Sequence, residues 1–224
     1  RTKGEKANVL RNPGWQLAAD AKKINPDLKV SILRWRTPAW VKKDEDRYIW
    51  YKQSILAAYE KYGYMVDYIN PNVNEAWSGA GDVKYTKKFA KWIAAESTAT
   101  IKDEKALELF RKIKLVVSDE ANVVSDSVAE TMKSDQEFMD AVDVVGYHYK
   151  TADDNNGGMK WLAEVVDKEV WNSEEQATFS NSAFRPATTD KAPTVAGTGI
   201  GGSGSALEMG NTVIKSFVES RRGH

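Results

Sequence analysis

Apolar positions along this chain fall into two alternating periods. Residues 14–24 (GWQLAADAKKI) carry them at helical spacing and stop at Asn25-Pro26. Leu28–Arg36 (LKVSILRWR) is a β-rich run closed by Thr37-Pro38. A helix over 47–62 ends at Gly63, where a helix stop is expected. Strand-like 65–73 comes next, followed by helical 83–97 and 104–112 and strand-like Ile113–Val117. A helix over 127–140, strand-like Val142–Tyr147, a short helix near 158–166 and strand-like Glu169–Trp171 complete the pattern, and Ser205–Glu219 reads as a last helix. Strand runs alternating with amphipathic helices predict βα units around a parallel sheet.

The five strand candidates start 27 to 48 residues apart, a spacing suited to successive βα units with some loop elaboration. Five strands cannot close a barrel that takes eight. Two architectures remain: an open α/β sheet, or a (β/α)8 barrel segment lacking strands at both ends. Residues 1–224 are read as one domain with no second domain evident. Phe179–Ser205, rich in Thr, Ser, Pro and Gly, is the one long irregular stretch, a length that usually marks a functional or mobile loop.

Composition narrows the function classes. At 224 residues the chain suffices for one sizeable domain but is short for a full eight-unit barrel. Lys plus Arg equals Asp plus Glu at 32 each, so no global field recruits nucleic acid or an anionic membrane. The absence of cysteine excludes disulfides and thiolate metal sites. No run approaches the roughly 18 apolar residues that a spanning helix needs. Eight Trp and nine Tyr suit either core packing or stacking on a sugar face. With Arg1 first and neither Met nor a signal peptide ahead of it, the natural start is expected further upstream. Secretion to an extracellular or periplasmic space is the expected localisation.

Two segments carry candidate chemistry. Asn70-Pro-Asn-Val-Asn74-Glu75-Ala and Val170-Trp171-Asn-Ser-Glu174-Glu-Gln each place a carboxylate where an apolar run turns polar. In parallel α/β folds catalytic groups collect at that end of the strands. Glu75 reads equally as a helix N-terminal residue, and Glu174 as surface charge after a strand. They lie 99 residues apart, about three βα units, and so can face each other across a barrel mouth. Two carboxylates delivered from separate strand ends are what a glycosidase uses. Trp35-Arg-Thr-Pro38-Ala-Trp40 puts two indoles at a strand exit, either as core or as a sugar platform.

His148, in Gly146-Tyr-His148-Tyr149, is the only histidine away from the C-terminus. One His cannot form a multi-His metal cluster, and no G-x-S-x-G elbow accompanies it, so it reads as a polar pocket residue. Gly197-Thr-Gly199-Ile-Gly-Gly202 matches G-x-G-x-x-G, but a Thr/Pro-rich loop precedes it where a dinucleotide site needs a strand. It reads as a flexible loop.

Several segments, in order, carry a resemblance. They are Ala21-Lys-Lys-Ile-Asn25-Pro, Leu33-Arg-Trp35-Arg-Thr-Pro38-Ala-Trp40, Tyr62-Gly-Tyr-Met-Val-Asp-Tyr-Ile-Asn70 and Asn74-Glu75. Further on come Val117-Ser-Asp119, Val142-Asp-Val-Val-Gly-Tyr-His148-Tyr149 and Trp171-Asn-Ser-Glu174-Glu-Gln-Ala-Thr178. Over roughly residues 15–180 the chain resembles the galactocerebrosidase-type glycoside hydrolases of family 59, in the large clan of retaining (β/α)8 glycosidases. The resemblance implies a TIM-barrel segment of about five to six βα units.

It also implies retaining exo-hydrolysis of a terminal β-galactoside, with Glu75 as acid/base and Glu174 as nucleophile. Trp35 would contact the sugar and Asn74 its 2-hydroxyl. His148 and Tyr149 would line the floor, with Trp40 a further sugar contact. No metal or organic cofactor is implied, and the partner is a carbohydrate or glycoconjugate substrate. Val73 stands where the family often has Trp. A family-30-like glucosidase, xylanase or galactanase, a non-catalytic carbohydrate-binding barrel fragment and, more distantly, a nucleotide-binding α/β domain are the alternatives.

Overall fold

The computed structural model describes residues 2–148, 157–174 and 214. They form two compact units. The first comprises residues up to Asn74 together with Ser78–Val116; the second comprises Glu75–Trp77 and the described residues from Val117 onward.

In the first unit, α1 (Pro13–Ile24) starts where the Asn12 side chain accepts the Gly14 N–H at 2.9 Å with Pro at N1. β1 (Ser31–Arg34) follows, then α2 (Asp44–Tyr62). Three acidic residues in the first turn of α2 complement its dipole, and Gly63 at φ 78° ends it with its N–H on the Tyr59 carbonyl. β2 (Tyr68–Val73) pairs parallel with β1, Ser31 opposite Tyr68 and Ile32 opposite Ile69. The register then slips to Arg34 opposite Val73. Pro71, which has no N–H to give a ladder, lies inside that slip. Side chains take over there: Asn70 accepts the Asn72 N–H at 2.9 Å, Arg34 Nε donates to the Pro71 carbonyl at 3.2 Å, and Tyr51 donates to the Asn70 carbonyl at 2.8 Å.

α3 (Ala80–Ala95) and α4 (Glu104–Phe110, capped by Asp103) lead to β3 (Lys114–Ala121), which pairs parallel with β2 through Tyr68–Lys114 and Ile69–Leu115. The core of this unit sets Ile55, Ile69, Phe89 and Phe110, all fully buried, beside a cluster of rings. Tyr48, Tyr51 and Tyr85 each meet Phe89 edge-on, with centroids 5.1, 5.7 and 5.8 Å away.

Beneath that cluster Glu96 accepts Tyr48 Oη and Lys52 Nζ at 2.6 Å each, and Thr100 Oγ1 as well. Burial alone would raise the Glu96 carboxyl; the bonds from Lys52, Thr100 and Tyr48 outweigh it and hold the group below its ordinary value of 4.5. A depressed folded value stabilises above pH 4.5 and is lost as pH falls through the folded value. Glu96→Gln should therefore destabilise by about 2 kcal/mol at neutral pH. Thermal unfolding scans should show that difference shrinking once the pH drops below the ordinary glutamate range.

The second unit holds the end of β3, then α5 (Asn122–Ser134), α6 (Gln136–Ala141), β4 (Val144–His148), α7 (Gly158–Glu164) and β5 (Glu169–Glu174). The single helix expected over 127–140 is two helices, because the Asp135 side chain turns to accept the Phe138 N–H at 2.9 Å and starts a new one. β4 is buried along its whole length and lies parallel to β5. The register runs from Val144–Glu169 to Tyr147–Asn172, then slips so that His148 faces Glu174. This bulge sets two β5 residues, Ser173 and Glu174, against one on β4 and re-aims both.

The strand order follows the chain, β1-β2-β3 and β3-β4-β5, β1 with β2, β2 with β3 and β4 with β5 pair in parallel, and helices stand between the strands. That is the repeat of a (β/α)8 barrel, five strands of its eight. No helix among the described residues is long and apolar enough to cross a membrane. Apart from residue 214, Ser205–Glu219 lies outside the described residues, as do Phe179–Ser205 and the glycine-rich segment 197–202 within it.

Candidate active site

Glu75 sits one residue past the first unit, on a tight turn with φ 53°. That turn is pinned to the end of β3 at two points: the Glu75 N–H donates to the Asp119 carbonyl at 3.2 Å, and the Trp77 N–H to Glu120 Oε1 at 2.6 Å. Ser118 and Asp119 are also left-handed, at φ 74° and 51°. Three of the four non-glycine residues with positive φ among the described residues thus gather at one place. Such backbone persists only where the surroundings fix it, and it collects at functional sites.

β4 and β5 bring the remaining groups. His148, 1 % exposed, points Nδ1 at Glu75 Oε1, 3.1 Å away, and at Glu174 Oε2, 3.8 Å away. Its Nε2 faces Asp119 Oδ1 at 3.8 Å. One ligand-type atom from each of Glu75, His148 and Glu174 lies within 4.8 Å of the others. Asp119 Oδ1 accepts a short bond from Ser173 Oγ, which also contacts the Tyr147 carbonyl at 3.3 Å. Gly146 makes this possible: a Cβ there would lie 2.1 Å from Asp119 Oδ1 and 2.8 Å from Ser173 Oγ.

The second unit therefore assembles Glu75, His148 and Glu174 from the chain after β2, the end of β4 and the end of β5. Asp119 and Ser173, which the sequence did not single out for the site although both lie in segments that carry the resemblance, stand with them. Tyr149 lies outside the described residues. The other candidates belong to the first unit. Asn74 is buried, gives its N–H to the Arg34 carbonyl at 2.9 Å, and leaves both side-chain amide atoms without a partner among the described residues. Trp35 is 57 % exposed. Trp40 is half-buried and lines a cavity of about 610 Å³ with Trp15 and Trp50.

The model of glycosyl hydrolase family 59 matches residues 1–224. The chain belongs to that family. The chain is similar to the galactocerebrosidase of Mus musculus, 26 % identical over 184 residues, 78 % of this chain and 23 % of that protein. The galactocerebrosidase of Salmo salar is 28 % identical over 78 % of this chain and 24 % of its own length. That of Homo sapiens is 26 % identical over 78 % and 23 %. The family 59 chain thus spans under a quarter of the length of these relatives. Among solved structures, SrfJ from Salmonella typhimurium shares the fold, with a TM-score of 0.53 and 19 % identity over 75 % of this chain and 40 % of that one.

Proposed function

We propose that this family 59 chain supplies the catalytic pair of a retaining exo-glycosidase acting on terminal β-galactosides. The observation that carries the reading is the approach of Glu75 and Glu174, one oxygen of each within 4.8 Å of the other. Retaining enzymes hold their carboxyl groups about 5–5.5 Å apart, whereas inverting enzymes leave about 6.5–9.5 Å for a water.

In this reading Glu174 attacks the anomeric carbon as the glycosidic C–O bond breaks, and Glu75 gives its proton to the departing oxygen. The Glu75 carboxylate then takes a proton from water, whose oxygen displaces Glu174 and frees the sugar. The Asn74 amide, without a partner among the described residues, suits a sugar 2-hydroxyl, a bond that strengthens in the transition state. The exposed ring of Trp35 suits a sugar face. Galactose is the proposed sugar because the curated relatives are galactocerebrosidases.

The test is to follow hydrolysis of a β-galactoside by proton NMR with the intact protein, beside matched glucosides and xylosides. The β anomer of galactose should form first. First-formed α anomer would end the retaining assignment, and turnover confined to glucosides or xylosides would end the galactoside assignment.

A further inference from the structure

We infer that Glu120 is a positioning residue for the acid/base, its carboxylate clamping the backbone turn that carries Glu75; the inference rests on the retaining reading above. Glu75–Trp77 is the one stretch of chain before Val117 that belongs to the second unit. On it Glu75 holds φ 53°, a conformation that a non-glycine residue keeps only where its surroundings fix it. What fixes this turn therefore decides where the acid/base carboxyl stands.

Two backbone donors of the stretch are held by neighbouring residues at the end of β3. The Glu75 N–H reaches a neutral carbonyl, that of Asp119, at 3.2 Å. The Trp77 N–H reaches Glu120 Oε1 at 2.6 Å, the short distance of a charge-assisted bond. Such bonds are about twice as strong as neutral ones, so the Trp77 contact is the firmer of the two. The Trp77 ring adds a tilted contact with Phe138 on α6, centroids 6.3 Å apart.

The end of β3 is braced where the clamp starts. Ser125, fully buried, sets its hydroxyl 3.4 Å from the Glu120 carbonyl and 2.9 Å from the Ser118 hydroxyl. Asp119 sends its side chain to Ser173, beside Glu174, and Glu120 sends its own to the turn beside Glu75. Glu174 stands on a separate strand, β5, so a loosened turn displaces the acid/base rather than the nucleophile. A misplacement of about 1 Å can cost roughly 100-fold in rate. A carboxylate that merely closed a turn would be indifferent to the leaving group, whereas one that places the acid is not.

Hydrogen-exchange mass spectrometry on the intact protein reads the clamp directly. In Glu120→Ala the Trp77 amide should exchange at least about tenfold faster than in wild type, while the amides of Val144–His148 on β4 keep their rates. Glu120→Gln keeps an oxygen for the Trp77 N–H and should exchange at an intermediate rate. An unchanged rate at Trp77 in Glu120→Ala, or an equal acceleration over β4, would overturn the inference.

A kinetic arm reads the consequence. Glu120→Ala should lose roughly 10- to 100-fold in kcat/KM on methyl β-galactoside, which needs an acid. It should lose no more than about threefold on the dinitrophenyl galactoside, whose leaving group needs none. Glu120→Gln should recover most of the loss. Equal losses on both substrates, or a Gln variant as impaired as the Ala variant, would overturn the inference. If wild type hydrolyses neither substrate, the proposed function falls and the exchange arm alone judges the clamp.

Discussion

Glu174→Gln is expected to lower kcat/KM on aryl β-galactosides by about 10⁴-fold or more while leaving the thermal midpoint unchanged. The substitution keeps the shape of a partly exposed side chain at the end of β5 but removes the oxygen that would bond to the sugar. An amide cannot form the glycosyl ester, so both half-reactions lose their path. The companion variant Glu174→Ala opens space for an outside nucleophile. Azide should then displace the leaving group directly and yield the α-galactosyl azide, with inversion. Recovery of the β product instead would show that another group still makes the covalent intermediate.

Glu75→Gln carries the second large effect, and its signature depends on the leaving group. On an alkyl galactoside the loss should reach roughly 10³–10⁴-fold, the upper part of what general acid–base catalysis contributes. On a dinitrophenyl galactoside the first displacement needs no proton and should be nearly spared. The second still needs a base, so intermediate should accumulate as a burst followed by slow turnover. Azide added to Glu75→Ala should restore turnover and give the β-galactosyl azide, the opposite anomer to that from Glu174→Ala. Stopped-flow measurement on the two substrates checks the first claim and NMR of the azides the second. Equal losses on both leaving groups would remove Glu75 from the acid/base role.

The strand ends that carry these residues were legible in the sequence because each is a short apolar run breaking into polar residues, and a parallel strand buried on both faces reads that way. The βα alternation followed from the same pattern. The break between α5 and α6 was less visible: hydrophobic periodicity continues across it, and only the side chain of Asp135, by capping Phe138, ends one helix and starts the next. The place of Asp119 beside His148 was hidden for a different reason. It depends on a left-handed backbone at Ser118 and Asp119, on the missing side chain at Gly146 and on the register slip that brings His148 opposite Glu174. None of these has a periodic signal. His148 looked like a lone polar residue because sequence cannot show that a buried ring faces carboxylates from three other segments. The two indoles after β1, grouped by spacing alone, fare differently in the fold: Trp35 is open to solvent while Trp40 lines a cavity.

The central claim is that Glu174 forms the covalent bond to the sugar. Its most direct test is to inactivate the intact protein with a 2-deoxy-2-fluoro-galactosyl reagent, digest it, and find the modified residue by mass spectrometry. The account predicts one fluorogalactosyl group on the peptide containing Trp171-Asn-Ser-Glu174, attached at Glu174. A label on Glu75, on Asp119 or on any other residue would contradict it.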